Sequence, residues 1–279
     1  MTKQTIGLIG AGNMARSLAG GLLQNGWDPG QIVLSDPDPQ QCQAVEQSLK
    51  VRCFANNADV AAKADVLVLA IKPQAAADAA TDIAKELQAM AKKPLLLSVI
   101  AGIRIPTLEH WLGNDFAIVR AMPNTAALVG SGAAALFANK QTSEKQRNLA
   151  ESIMRAVGIV VWLDDEALMD SATALSGSGP AYFFLVMEAM EQAAIKQGLD
   201  ADTARLLTLE TAYGAARMAL EGHEDPAALR QQVTSPGGTT EAAIKVFIES
   251  GIFETYQRAL DAASSRSRKL ADLFAGDKS

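Results

Sequence analysis

A short segment in the C-terminal half, "VTSPGGTTEAAI" (residues 233–244), has the residue types of a ligand-binding turn that opens a helix. Its Pro-Gly-Gly turn lets another group approach the backbone closely, because glycine has no Cβ atom. Successive backbone N–H groups and a helix N-terminus attract an anion, although the segment contains no Lys, Arg or His. The spacing alone also fits a simpler role, in which Ser235 or Thr240 caps the helix and Glu241 favours its first turn.

A second segment, "LIGAGNMA" (residues 8–15), places glycines at the spacing of a dinucleotide-binding turn between a strand and a helix. Gly10 permits the tight turn, and Gly12 lets a pyrophosphate approach the backbone. Ala15 keeps the helix close to the strand, and the phosphates meet free N–H groups at the helix N-terminus. The alternative is a glycine turn that binds nothing.

The next strand ends at Ser35 and Asp36, where a dinucleotide presents its ribose. An acidic residue there accepts hydrogen bonds from the ribose 2′-hydroxyl and favours NAD, whereas the Ser35 hydroxyl tolerates a 2′-phosphate. Asp36 precedes Pro37, and its side chain either faces the ribose or points away from it. The sequence therefore leaves the choice between NADH and NADPH open.

Three other positions have two interpretations each. Lys72 in "LAIKPQ" (69–74) either faces a phosphate or ribose or is an ordinary solvated lysine. Ser178 in "LSGSGPAY" (175–182) lies either near the substrate or in a turn with Pro180 at the first helical position. Glu166 offers its charge to a substrate iminium or is a solvated loop carboxylate.

Composition excludes several classes of protein. The chain has 279 residues and a formal net charge of −6, which argues against a nucleic-acid partner because such a surface is basic. Its two cysteines, Cys42 and Cys53, and its two histidines, His110 and His223, form no metal-ligand pattern, so no metal site is expected. The start, "MTKQTIGLIGAG", lacks the basic and apolar regions of a signal peptide, and no apolar run reaches about 18 residues. We therefore expect a cytoplasmic protein, off the membrane, with reduced thiols.

The elements that position these residues divide into two halves. Strands are predicted at 5–10, 31–36, 51–55, 66–71, 94–100, 117–122, 133–138 and 158–164. Their alternation with helical stretches, and apolar runs such as "VLVLAI", predict a doubly wound, mostly parallel sheet covered on both faces. After Asp164 only helices are predicted, which gives domains at 1–164 and 165–279.

One predicted helix, around 180–197, is apolar on more than one face. Such a helix must be buried on several sides. We expect a second subunit to cover it, and the alternative is a central core helix in a monomer.

The segments "LIGAGNMA", "LAIKPQ", "AMPNTAALV" (121–129), "LSGSGPAY" and "VTSPGGTTEAAI" together resemble Δ1-pyrroline-5-carboxylate reductases, from about residue 4 to residue 270. The resemblance implies an α/β fold, with an N-terminal Rossmann-like doubly wound sheet followed by an all-helical C-terminal dimerisation domain. It also implies a homodimer, which in this family often assembles further into a larger ring such as a decamer.

The same resemblance implies NADPH or NADH as the cofactor and 1-pyrroline-5-carboxylate, reduced to L-proline, as the substrate. The cofactor residues that it implies are Gly10, Ala11, Gly12, Asn13, Met14, Ser35, Asn57, Ala70, Ile71, Lys72, Pro73 and Ala101. The substrate residues are Ser178, Ser235, Gly238, Thr239 and Thr240, of which Thr240 is the catalytic candidate. Asp36, beside the ribose position, puts the family's common preference for NADPH in doubt.

Two alternatives to this function are a reductase of another imine or small acid and a nucleotide-binding regulator without turnover. A hydroxy-acid enzyme would need a lysine early in the helix after residue 180, and the first one is Lys196. A regulator would be expected to have a degraded 235–240 loop, and the loop is intact.

Overall fold

The computed structural model describes residues 4–276, and within that range the chain forms one eight-stranded sheet. The strands are β1 (Ile6–Ile9), β2 (Ile32–Ser35), β3 (Arg52–Phe54), β4 (Val66–Leu69), β5 (Leu95–Ser98), β6 (Ile118–Met122), β7 (Gly132–Ala138) and β8 (Gly158–Trp162). Their order is β3-β2-β1-β4-β5-β6-β7-β8, and only the β6–β7 pair is antiparallel. All eight predicted strands are present, which confirms the predicted fold class.

The central strands are buried on both faces because their side chains alternate between two cores. In β4, Val66 and Val68 belong to the core on one face, whereas Leu67 and Leu69 belong to the core on the other. Every residue of β1, β2, β4 and β5 is buried. This is why these strands read as continuous apolar runs rather than as an alternation of apolar and polar residues.

Helices cover the sheet and make up the C-terminal part of the described chain. They are α1 (Asn13–Gln24), α2 (Pro39–Leu49), α3 (Asn57–Ala61), α4 (Ala76–Ala89), α5 (Ile105–Leu112), α6 (Glu144–Arg155), α7 (Leu168–Ala172), α8 (Gly179–Lys196), α9 (Ala201–Glu221), α10 (Pro226–Gln232), α11 (Thr239–Glu249) and α12 (Ile252–Gly276). A π-helical turn, Thr173–Gly177, connects α7 to α8. Within residues 4–276, no helix combines the length and apolar character needed to cross a membrane.

The chain forms two compact units. One contains the described residues up to Ser178 together with the end of α12 from Ala263, and the other contains residues 179–262. Phe274, near the end of α12, packs against the core of the first unit, and two hydrogen bonds add to this contact. Ser267 Oγ donates to Asp170 Oδ1 at 2.6 Å, and Arg104 Nη1 donates to Asp272 Oδ1 at 2.9 Å. The predicted domain division after residue 164 stays a prediction.

The expectation of reduced thiols is wrong, since Cys42 of α2 and Cys53 of β3 form a disulfide. The chain reverses direction between α2 and β3, which brings the two Cα atoms to 5.1 Å from each other. The cellular compartment and the lack of a C-x-x-C pair, on which the expectation rested, give no information about this proximity. The two cysteines meet because α2 packs on β3, the strand that follows it.

Reducing this disulfide is expected to lower the free energy of unfolding by about 2–3 kcal/mol, because it closes a short loop in the unfolded chain. The cysteines are 11 positions apart. Urea unfolding with and without a thiol reductant measures the difference. A double Cys42→Ser, Cys53→Ser variant is the control, since it should unfold at the lower urea concentration under both conditions. If the reductant leaves the urea midpoint of the wild-type protein unchanged, the disulfide does not contribute to its stability as expected.

The apolar helix predicted at 180–197 is α8, and its large side chains are exposed in the single chain. Phe183, Phe184 and Leu185 are 66%, 64% and 65% exposed. Three consecutive positions on a helix point in different directions, so α8 presents apolar surface over a wide arc. The alternative of a central core helix in a monomer is therefore wrong.

Candidate functional site

The turn after β1 is built around two glycines with different structural tasks. Gly10 has a φ of +99°, and a Cβ atom there would lie 2.6 Å from the carbonyl oxygen of Ala70. Gly10 is therefore required by the fold, at the point where β1 passes closest to the chain after β4. Gly12 has a φ of −71°, and a Cβ atom built on it meets no atom within 4 Å. Packing therefore does not require glycine at this position, and the predicted contact of Gly12 with a pyrophosphate stays a prediction.

The helix that follows Gly12 begins without a side-chain cap. Gly12 is the N-cap residue of α1, and it makes no side-chain cap hydrogen bond. The N–H groups of Asn13 and Met14 belong to the positions that have no intrahelical partner. Gly12 and Asn13 are exposed. The turn therefore has the open backbone and the uncapped helix N-terminus that suit a pyrophosphate.

Beside this turn lies a cavity of about 550 Å³ at the carboxyl ends of β1 to β4. Its lining includes Gly10, Asn57 and Ile71 from the predicted cofactor set. The sheet order places β1 between β2 and β4, so the cavity lies where the strand order reverses. Open α/β sheets bind their ligands at this point. The structure thus brings these predicted residues together around one cavity of the size that a nucleotide needs.

Ser35 and Asp36, at the end of β2, have different surroundings. Ser35 is fully buried, and its hydroxyl lies 2.8 Å from Oδ1 of Asn57. Asp36 lines the cavity, and its Oδ2 accepts a hydrogen bond of 2.8 Å from the backbone N–H of Ala11. The carboxylate of Asp36 therefore points to the glycine turn, although Pro37 follows it.

The remaining predicted cofactor residues do not line this cavity. Lys72 is exposed and precedes a short 3-10 helix that starts at Pro73, while Ala70 donates its N–H to the carbonyl of Ile9 at 2.9 Å. Ala101 is exposed in the turn after β5. Their contacts with a cofactor stay predictions. Among residues 4–276, no group of His, Cys, Asp or Glu side chains is arranged to hold a metal ion.

Glu166 has a structural partner that the sequence analysis missed. Its Oε1 accepts hydrogen bonds of 2.9 Å from Nη1 of Arg120 and from the backbone N–H of Ile105. The Arg120 side chain is 3% exposed. Removing Glu166 would leave that charge buried without its partner. Glu166 is thus neither a solvated carboxylate nor free for an iminium, and an arginine inside the apolar strand "AIVRAM" was the signal for it.

Residues 175–177 belong to the π-helical turn Thr173–Gly177, which the sequence analysis did not predict. The helix α8 begins at Gly179, so Pro180 lies in its first turn, one position after the predicted one. The N–H of Ser178 donates to the carbonyl of Thr173 at 2.9 Å. Asn124 fixes the turn by donating to the carbonyl of Ser176 at 3.2 Å, and a Cβ atom on Gly177 would lie 2.8 Å from Met122. π-Helical turns recur at functional sites. A role for Ser178 in substrate binding stays a prediction.

The segment 235–240 forms a turn that leads directly into α11. The N–H of Gly238 donates to the carbonyl of Ser235 at 3.0 Å, and the N–H of Gly237 donates to Oε2 of Glu241 at 2.7 Å. Gly237 has a φ of +69°, a conformation that glycine adopts without strain. The turn is therefore closed by its own hydrogen bonds and by the side chain of Glu241.

The start of α11 is uncapped, which excludes the simpler role for its hydroxyls. Gly238 is the N-cap residue, it has no side chain, and no side-chain hydrogen bond caps this helix. Thr239 and Thr240 occupy the first two helical positions, where backbone N–H groups lack intrahelical partners. Ser235 and Thr239 are exposed and Thr240 is half-buried. The proposal that Ser235 or Thr240 is only a cap is wrong, and the two threonine N–H groups are available to an anion.

Comparison with known proteins identifies both halves. A family model described as pyrroline-5-carboxylate reductase dimerisation matches residues 166–270, and one described as NADP oxidoreductase coenzyme F420-dependent matches residues 5–102. A pyrroline-5-carboxylate reductase of Pseudomonas aeruginosa is 48% identical over 98% of both chains. The chain belongs to the pyrroline-5-carboxylate reductase family. The resemblance inferred from the five motifs is thereby confirmed.

Other relatives agree along the whole chain. A pyrroline-5-carboxylate reductase of Haemophilus influenzae is 43% identical over 98% of this chain and 100% of its own. The solved pyrroline-5-carboxylate reductase of Coxiella burnetii has a TM-score of 0.92 and 44% identity, over 97% of this chain and 99% of its own. That of Plasmodium falciparum, solved with NADP bound, has a TM-score of 0.85 and 28% identity, over 97% and 99% of the two chains.

Proposed function

We propose that the chain is an NAD(P)H-dependent oxidoreductase that reduces 1-pyrroline-5-carboxylate to L-proline, the last step of proline biosynthesis. The observation that carries this proposal is the 48% identity to a pyrroline-5-carboxylate reductase over 98% of both chains. The uncapped helix start after Gly12 and the open cavity beside it support the binding of a dinucleotide. A cytoplasmic location stays a prediction from the sequence.

The substrate is a five-membered cyclic imine that carries a carboxylate. We assign the carboxylate to the start of α11, where the N–H groups of Thr239 and Thr240 lie at the positive end of the helix dipole. Gly237 and Gly238 serve by leaving the backbone accessible, since their own N–H groups bond to Glu241 and Ser235. Charge attraction by a helix N-terminus replaces the lysine or arginine that the segment lacks.

The Thr240 hydroxyl is assigned to the ring nitrogen. A bound reduced nicotinamide supplies the hydride that the C=N carbon accepts, and the nitrogen must hold a proton for the product amine to form. A threonine hydroxyl is a weak acid, so Thr240 orients the nitrogen and passes on a proton from water. Catalysis then depends mainly on positioning, which lowers a barrier by about 7–11 kcal/mol when reactants are well aligned.

A turnover assay tests the function directly. The purified chain, mixed with 1-pyrroline-5-carboxylate and either NADH or NADPH, is expected to lose absorbance at the nicotinamide band and to form L-proline in equal amount. Absence of turnover with both cofactors would contradict the proposal. Nucleotide binding without turnover would point to the non-catalytic regulator.

We also propose that the chain works as a homodimer, assembled in turn into a larger ring such as a decamer. The family model that matches residues 166–270 is described as a dimerisation region. The exposed phenylalanines of α8, Phe183 and Phe184, lie within that range. A second copy that covers this helix would remove a large apolar surface from water, which stabilises the assembly by about 25 cal/mol per Å² buried.

Substituting Phe184→Glu is expected to dissociate the assembly, because it places a charge in the apolar interface. Light scattering after gel filtration measures the mass, and the wild-type protein should have at least the mass of two 29.4-kDa chains. The control is Glu188→Gln on the same helix, a polar and exposed position, which should leave the mass unchanged. A wild-type protein with the mass of one chain would contradict the dimer.

A further inference from the structure

Acidic side chains dominate the cavity beside the glycine turn. Asp36 lines it from the end of β2, Asp59 from α3, and Asp78 and Asp82 from α4. Among the described residues that line the cavity there is no lysine or arginine. The wall around the ribose end of a bound dinucleotide is therefore negatively charged.

Asp36 is the acidic side chain fixed to the dinucleotide turn itself. Its Oδ2 accepts the N–H of Ala11 at 2.8 Å, and its Oδ1 accepts the N–H of Asp38 at 2.9 Å. Two backbone donors at opposite oxygens hold the carboxylate in one orientation. A nucleotide lying on the Gly10–Ala15 turn would present its ribose hydroxyls to this carboxylate.

Ser35 does not offer the alternative that its position suggests. A serine at the end of the second strand tolerates a 2′-phosphate only if its hydroxyl faces the ribose. Here the residue is fully buried and its hydroxyl bonds to Asn57. The side chain available to the ribose from this strand end is therefore that of Asp36.

The cations near the turn have other partners or lie outside the cavity. Arg16 donates from Nε to the carbonyl of Ala11 at 2.9 Å and from Nη2 to Oε1 of Gln41 at 2.6 Å. Arg16 and Lys72 do not line the cavity. An adenosine 2′-phosphate would need a bidentate arginine or a lysine to neutralise it.

We propose that Asp36 determines the cofactor preference of the chain, selecting NADH and rejecting NADPH. The ribose 2′-hydroxyl of NADH donates a hydrogen bond to the fixed carboxylate. The 2′-phosphate of NADPH carries a charge of about −1.5 to −2 and would meet the carboxylates of the cavity wall instead. The inference rests on the proposed function only in that the cavity takes a nicotinamide dinucleotide.

Calorimetric titration of the wild-type protein with each nucleotide, in the absence of the imine, tests the proposal without any turnover. NADH is expected to bind at least about tenfold more tightly than NADPH, since the 2′-phosphate and the carboxylates of the cavity wall carry charges of the same sign and repel each other. NADPH is the alternative to be excluded, because the Plasmodium falciparum relative was solved with NADP bound.

The electrostatic origin of the preference for NADH can be tested separately, by the salt dependence of binding and by variants that remove one charge. Raising the salt concentration from about 0.01 M to about 1 M shortens the Debye length from about 30 Å to about 3 Å, so the preference for NADH should shrink. Asp36→Asn should shift the NADPH-to-NADH affinity ratio about tenfold toward NADPH. The matched control, Glu144→Gln, removes the same charge from the exposed first turn of α6 and should leave the ratio unchanged.

The outcomes separate the inference from the proposed function. Equal or tighter binding of NADPH by the wild-type protein, especially if Arg16→Gln then abolishes it, overturns the role of Asp36 and leaves the reductase function standing. Binding of neither nucleotide overturns both. A preference for NADH that Asp36→Asn does not reduce, in a variant that unfolds at the wild-type temperature, also overturns the assignment to Asp36.

Discussion

Replacing Thr240 with alanine is expected to lower kcat/KM for 1-pyrroline-5-carboxylate by about 10- to 100-fold, with little change in cofactor affinity. A hydrogen bond to a charged group contributes about 1.5–3 kcal/mol, and about 1.4 kcal/mol corresponds to a factor of ten. The loss follows from the assignment of the Thr240 hydroxyl to the ring nitrogen. Cofactor affinity is spared because the glycine turn at residues 10–15 is unchanged.

Two variants separate this role from a structural one. Thr240→Ser keeps the hydroxyl and should retain most of the activity. Thr234→Ala removes a neighbouring hydroxyl that donates to the carbonyl of Arg230 at 2.6 Å, and it should leave kcat/KM near the wild-type value. Steady-state kinetics at saturating cofactor gives all three values. Wild-type activity in Thr240→Ala would contradict the assignment of its hydroxyl to the ring nitrogen. A loss of activity would not come from a lost helix cap, because this hydroxyl does not cap α11.

The second large effect is expected from Gly12→Val, which should weaken binding of NADH and NADPH by at least about 100-fold. The side chain would occupy the space where the pyrophosphate approaches the backbone. In the protein alone a Cβ atom on Gly12 has nothing within 4 Å, and the φ of −71° suits valine. Calorimetric titration should show the loss while the melting temperature stays near that of the wild type.

Gly10→Ala is the matched comparison, and its effect should be on folding. Its φ of +99° disfavours any residue with a Cβ atom, and that atom would lie 2.6 Å from the carbonyl oxygen of Ala70. Strain of this kind costs on the order of 1–3 kcal/mol, so the melting temperature should fall. Normal cofactor affinity in Gly12→Val, or an equal loss of stability in both variants, would contradict the division of tasks between the two glycines.

The parallel sheet could be predicted from the sequence because each buried strand is a short apolar run that can be recognised without its neighbours. "VLVLAI" is apolar at every position, and Val66 and Leu67 are buried in opposite cores. The antiparallel β6–β7 pair and the return of α12 to the sheet unit could not be predicted. They depend on contacts between distant parts of the chain, such as that of Ser267 with Asp170.

The candidate site was predictable where a backbone conformation requires a particular residue. Gly10 and Gly237 both have positive φ values, and the sequence shows glycine at both positions. Side-chain partners were harder to predict. Nothing in the local sequence reveals that Ser35 bonds to Asn57. The arginine inside "AIVRAM" indicates a buried charge that needs a partner, but it does not indicate that the partner is Glu166. Such pairs form only after strands and loops have assembled, and they decide which polar groups remain for a ligand.

A crystal structure of the protein with L-proline bound tests the central assignment, that backbone amides at the start of α11 hold the carboxylate. The expected result is a carboxylate whose oxygens lie about 3 Å from the backbone nitrogens of Thr239 and Thr240, the normal hydrogen-bond distance. The ring nitrogen should be within the same distance of the Thr240 hydroxyl. A carboxylate bound by a lysine or arginine side chain, with residues 235–240 facing solvent, would contradict the account.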